Sequence, residues 1–249
     1  MIDAIRRISF NLCIGIILLI LTPALFKTFS LLSVEFCKNS YFYPMAVGTV
    51  LGLCFERYLN KHFPEVAVFE HEFTHAIAGL PFGFIPTGIS VSRYNGGSCR
   101  HIFYPLGPFK TLYPLSSRIV SLAPYFLPTF TVIMVLFRPV TPATCQPWYD
   151  ISIGATFGFH ALSGFFELKR NYTNRNIISF GSGELTKSDI GKTGMLFSLV
   201  FIAVATIIVH TLVLAVIVKG YQGFGFWIKE TFHYTNSFTL PVIASHLLH

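Results

Sequence analysis

Runs of about twenty apolar residues recur along this chain, and an α-helical membrane protein is the architecture that accommodates them most simply. Crossing the roughly 30 Å hydrocarbon layer of a bilayer takes about 20 helical residues. Such runs fall near residues 8–31, 41–56, 65–83, 117–137, 148–168 and 190–218. Only 12% of the 249 residues are charged, against about a quarter in soluble domains, and the mean hydropathy is +0.61. The expectation is an all-α, multi-pass integral membrane protein of about six transmembrane helices. The second and third runs are short, and the polar stretch from Glu56 to His62 separates them, so either could be half-buried instead of crossing fully.

Arg6 and Arg7 precede the first run, an arrangement shared by a secretory leader and a retained span. No small-residue cleavage site follows cleanly, which favours the retained span. The net charge of +7 would suggest nucleic acid in a soluble protein. Here Lys and Arg cluster in short loops, where they meet lipid headgroups, so the expected partner is the lipid bilayer, with no nucleic acid. Counting basic residues on each side of six spans puts the N-terminus outside, against the simple reading of Arg6 and Arg7, and orientation stays open. The five cysteines, at 13, 37, 54, 99 and 145, are odd in number and lack CxxC spacing. They predict neither a disulfide framework nor a thiolate metal site, and Cys13 and Cys54 read as small buried apolar residues.

Three parts follow from these patterns: N-terminal transmembrane helices over 1–64, a membrane core over 65–218 and an interfacial tail over 219–249 carrying Trp227. Between Phe84 and Ser117 the helical period lapses. Ile89 to Arg93 alternates apolar and polar, Asn95-Gly96 supplies a turn pair, and Cys99 to Phe103 resumes the strand-like pattern. A β-hairpin is expected there, with an ordinary connecting loop as the alternative. An exposed hairpin edge could hold an unfolded segment as an added strand. A second polar connection runs from Lys169 to Lys192 with Gly181-Ser182-Gly183 at its centre.

Inside the third apolar run lies His71-Glu72-Phe73-Thr74-His75. Histidines four apart on a helix project from one face and can reach a single Zn²⁺ ion. Glu72 lies beside them, where a carboxylate can take a proton from water and return it to a leaving amine, the general base and acid of metal-assisted amide hydrolysis. The surroundings sharpen the reading, because Glu70, His71, Glu72 and His75 interrupt an otherwise apolar stretch. Ionisable groups there are costly and mark function by default; the alternative is a polar cluster joining helices. The spacing of two known HExxH classes is missing. Ala78 and Pro81 stand where metzincins need Gly and a third His, and the next carboxylate after Glu72 is Asp150, too distant for the usual glutamate ligand.

The segment Phe69 to Gly83 resembles the first core helix of the site-2-protease family of intramembrane metalloproteases, in which HExxH-Ala sits in an apolar span ending at Gly. The β-prone segment after it and the later Ser121-Leu122-Ala123-Pro124 are also similar, so that the likeness covers Val66 to about Val218. It implies an intramembrane zinc metalloprotease that cleaves peptide bonds in or near transmembrane segments, with other membrane-protein substrates as its partners. The family's Leu-Asp-Gly tripeptide is absent; Gly183 to Ile190 is closer to a shorter branch with a Ser-Asp pair opening its last core helix. The resemblance therefore implies Asp189 as third metal ligand beside His71 and His75, with Glu72 catalytic. Ser188 or Asp189 as a helix N-cap is the competing role.

His160 is the rival to Asp189, mid-run and able either to ligate zinc or to contact an oxyanion, or else only to bridge helices. Asp150 and Glu167 fall at the ends of their run and are expected at the interface. Glu70, about 100° around the helix from His71, is a weaker candidate for orienting either histidine. Two other functions fit the same residues: an inactive relative that binds membrane clients without cleaving them, and a proton or metal transporter lined by His71, His75, His160 and Asp189.

Overall fold

The computed structural model describes residues 2–93, 96–104, 113–173, 178–179, 185–186, 189–239 and 241. The chain is mostly helical, in the order α1 (Ile2–Cys37), α2 (Phe42–His62), α3 (Glu65–Gly79), β1 (Phe84–Ser92), β2 (Gly96–Phe103), α4 (Tyr113–Leu122), α5 (Thr129–Phe137), α6 (Gln146–Thr173), β3 (Ile178–Ser179), β4 (Leu185–Thr186), α7 (Asp189–Thr193), α8 (Met195–Lys219) and α9 (Gln222–Tyr234). Asn95 of the expected turn, Gly181-Ser182-Gly183 and Ser188 lie outside the described residues.

The chain divides into two compact units. The first comprises residues 1–42, 135–141 and 196–249. It contains two helical stretches long and apolar enough to cross a membrane, Ile14–Cys37 and Met195–Lys219, with mean hydropathies of 2.0 and 2.8. At about 1.5 Å per residue each exceeds the roughly 30 Å core. Around the C-terminal end of α8, Lys219 pairs with Glu35 at 3.0 Å. The guanidinium of Arg138 donates to the Ile217 carbonyl at 3.3 Å and lies 4.6 Å from the centre of the Tyr41 ring.

The second unit, residues 43–134 and 142–195, holds the sequence motif. Its helices α2 and α6 run side by side. A side chain on Gly48 or Gly52 would strike the Ile151 or Ala155 carbonyl, and one on Gly154 or Gly158 would strike the Met45 or Thr49 carbonyl. Small residues at four-residue spacing let the two backbones touch. Helix α3 has 15 residues, about 23 Å of helix, too short to cross a bilayer alone. A 3-10 turn, Leu80–Phe82, follows it, and Gly83 reverses the chain at φ 81°, a conformation that only glycine adopts without strain.

The hairpin expected from sequence is present as β1 and β2, paired antiparallel from Phe84↔Phe103 to Ser92↔Gly96. The register shifts between Pro86 and Gly88, where proline has no N–H to give the ladder. Aromatic packing of Phe84 with Phe103 and Tyr113 ties the open end of the hairpin to α4. The run expected at 117–137 is broken, with α4 and its 3-10 extension bent 86° from α5 around Pro128. Among the described residues, two helices are thus long and apolar enough to cross a membrane, or three if the bent pair forms one span. One further expectation is corrected: Cys54, expected to be buried, is exposed. Asp150, at the start of its apolar run, is packed inside the protein at 3% exposed.

Candidate metal centre

Because α3 is a regular helix, His71 and His75 stack one turn apart, with ring centres 4.8 Å apart. Each ring is fixed from behind. The Nδ1–H of His75 donates to the Val120 carbonyl of α4 at 2.8 Å, and Nδ1–H of His71 donates to Glu167 Oε2 of α6, also at 2.8 Å. Both partners only accept, so each imidazole carries a proton on Nδ1 and turns its Nε2 away from that partner. These Nε2 atoms face one another at 3.1 Å. That separation is met by one proton shared between the two nitrogens or by a metal ion that both ligate.

Asp189 completes the group. Its Oδ2 lies 3.8 Å from His71 Nε2 and 3.7 Å from His75 Nε2, and one donor atom from each of the three residues falls within 4.8 Å of the others. Tetrahedral zinc with bonds of about 2.0–2.2 Å would set its ligands about 3.3 Å apart. The three edges lie within about half an ångström of that value, so the donor set fits a zinc-sized ion with small closing movements. Histidines anchored through Nδ1 by a carboxylate or carbonyl are what a metal site requires of its surroundings.

Glu72 points to the other side of α3 from Glu70. It is 7% exposed, lies within electrostatic reach of His71, His75 and Asp189, and is covered by β2. A Cβ on Gly97 would fall 2.5 Å from Glu72 Cγ and 2.8 Å from its Oε1. The hairpin is held there by His101, whose Nε2–H donates to the His75 carbonyl at 3.3 Å. Cys99 Sγ lies 3.5 Å from the same nitrogen. Burial pushes the Cys99 thiol up to about 11, with the charge of Glu72 adding to the effect. It also holds His101 below the usual histidine range, against the opposing effect of its hydrogen bond to the His75 carbonyl. Tyr125 sets its ring edgewise to His71 at 5.9 Å and accepts a hydrogen bond from Asn171 at 2.8 Å.

Of the residues singled out in the sequence, His71, His75 and Asp189 come together, with Glu72 beside them. His160 does not join them: its Nδ1 bonds Glu70 Oε1 at 2.7 Å. Glu70 therefore faces α6 and bonds neither His71 nor His75. Glu167, expected at an interface, is the residue that sequence reasoning missed. Its Oε2 holds His71 while its Oε1 accepts from Arg170 at 3.2 Å. The available signal was its place seven residues after His160 and four after Ser163, on one face of an otherwise apolar helix. No family model, curated protein or solved structure matches this chain.

Proposed function

We propose that the protein is a multi-pass intramembrane zinc metalloprotease, hydrolysing peptide bonds in or near transmembrane segments of other membrane proteins, as its likeness to site-2 proteases implies. The observation that carries this reading is the pair of Nε2 atoms facing one another at 3.1 Å, with the Asp189 carboxylate in reach of both and a buried glutamate adjacent in sequence. His71, His75 and Asp189 would hold the ion. Zinc bound there would supply Lewis acidity, making water acidic near neutral pH and polarising a scissile carbonyl.

The chain's own groups do the rest. Glu167 and the Val120 carbonyl keep both rings in the tautomer that leaves Nε2 free. Glu72 removes a proton from the attacking water and delivers it to the leaving amine. Its cover by β2 excludes bulk water, so a proton held on the carboxyl passes to the substrate and not to solvent. A substrate helix must open locally to present its amide, since a helical backbone keeps each carbonyl engaged. The two-stranded hairpin beside Glu72 offers an edge for an extended segment.

The test is Glu72→Gln in the full-length protein, purified in detergent. Zinc stoichiometry should stay at one per chain, while cleavage of unfolded casein and of single-span helices in the same micelles disappears. Cleavage retained by that variant overturns the mechanism. A wild-type protein that takes up no zinc overturns the reading as a whole.

A further inference from the structure

Helix α6 presents two different faces. Gly154 and Gly158 lie against α2. On the opposite side Tyr149, Thr156, His160, Ser163, Glu167 and Asn171 recur at intervals of three, four or seven residues, the spacing of one helical stripe. Along this stripe Thr156 meets Thr131 at 3.1 Å, His160 and Ser163 meet Glu70 at 2.7 and 3.3 Å, Glu167 meets His71 at 2.8 Å and Asn171 meets Tyr125 at 2.8 Å.

Helices α3 and α6 are therefore joined at two rungs by consecutive α3 residues. Glu70 reaches His160 and Ser163, and His71 reaches Glu167. The first rung takes no part in the proposed chemistry, yet it is the more deeply buried, with Glu70 4% and His160 5% exposed. A buried carboxylate left without its donor is costly, so the two helices are held at the one register that satisfies it. That same register brings Glu167 within hydrogen-bond range of His71.

We infer that Glu70 and His160 are positioning residues for the metal centre. They set the α3–α6 register at which Glu167 fixes the His71 ring, and so raise metal affinity without ligating the ion. This rests on the metal-binding reading above. Loss of a group that orients a ligand typically weakens metal binding by about 10–100-fold, and the more remote rung belongs near the lower end.

The experiment is zinc affinity of the full-length protein in detergent, by competition with a chromophoric chelator, with the wild type measured first. Glu70→Ala and His160→Ala should each weaken binding about tenfold, and the double variant should be no weaker than either alone. His160→Asn, whose amide N–H can stand near the position of Nδ1, should recover most of the loss. In a Glu167→Ala background, His160→Ala should cost nothing further. If His160→Ala does not fold, His160→Asn and His160→Gln are compared, and Gln, which places its donor beyond the Nδ1 position, should be about tenfold the weaker. The inference is overturned if the alanine variants match the wild type, if the losses at 160 and 167 multiply, or if Asn and Gln behave alike. A wild type that binds no zinc overturns the metal centre itself, and this inference with it.

Discussion

Replacing Gly97 with alanine places one methyl group between the hairpin and Glu72. The new carbon would lie 2.5 Å from Glu72 Cγ, 2.7 Å from Val68 Cγ1 and 2.8 Å from Glu72 Oε1, where carbon contacts ordinarily settle at about 3.5–4.0 Å. About 1 Å must be found, and it is cheaper to displace the Glu72 side chain than two backbones. Misplacing a catalytic group by about 1 Å costs about 100-fold, or about 2.7 kcal/mol in the barrier. The expected result is kcat reduced about 100-fold with KM little changed. Zinc content should remain at the wild-type level, because no ligand lies on β2. Overpacking would lower folding stability by about 1–3 kcal/mol, so thermal unfolding in detergent is followed in parallel. Wild-type kcat in a fully zinc-loaded Gly97→Ala protein would refute the argument that β2 positions Glu72.

Glu167→Ala should weaken zinc binding by about 10–100-fold in chelator competition, and Glu167→Gln by less, because its amide oxygen can still accept from His71 Nδ1. Gly154→Leu inserts a side chain where the Met45 carbonyl sits; a loss of about 2 kcal/mol or more should lower the unfolding temperature by several degrees. Cys99, with its thiol pushed up to about 11, carries little thiolate at pH 8 compared with an ordinary thiol near 8.5. It should therefore react with iodoacetamide at least about 100-fold more slowly than exposed Cys145, and faster as pH rises toward 11, as read by mass spectrometry of peptides.

How much of this was legible in the sequence depended on how local each relation is. His71 and His75 were readable because a helix turns four residues into one face, and the hairpin because an alternating pattern flanks a turn pair. Asp189 came from a resemblance and not from spacing, since a partner so far along the chain leaves no periodic trace. Glu167 and Asp150 were assigned to an interface because charge at the end of an apolar run usually lies there; tertiary packing turns Glu167 inward toward His71 and buries Asp150. The role of Gly97 was hidden for a different reason. Asn95-Gly96 accounted for the turn, and nothing in the residue string says that the next glycine faces a carboxylate. Span counting from apolar runs reads six segments, of which α3 has only 15 residues and the stretch at 117–137 is bent, because residue composition carries no record of where a helix ends or turns.

Asp189 sits on a helix of only five residues, far below the length at which a helix persists by its own hydrogen bonds. Its neighbour Ile190, 1% exposed, is among the most enclosed of the described side chains, and Thr193 Oγ1–H donates to the Asp189 carbonyl at 2.9 Å. The third corner of the proposed metal centre is thus seated in part like a pin in a socket, by a hydrocarbon side chain whose chemistry is unrelated to metals. Tolerance at position 190 sets tolerance at position 189. Trimming that side chain would loosen the carboxylate while leaving every coordinating atom in the sequence unchanged.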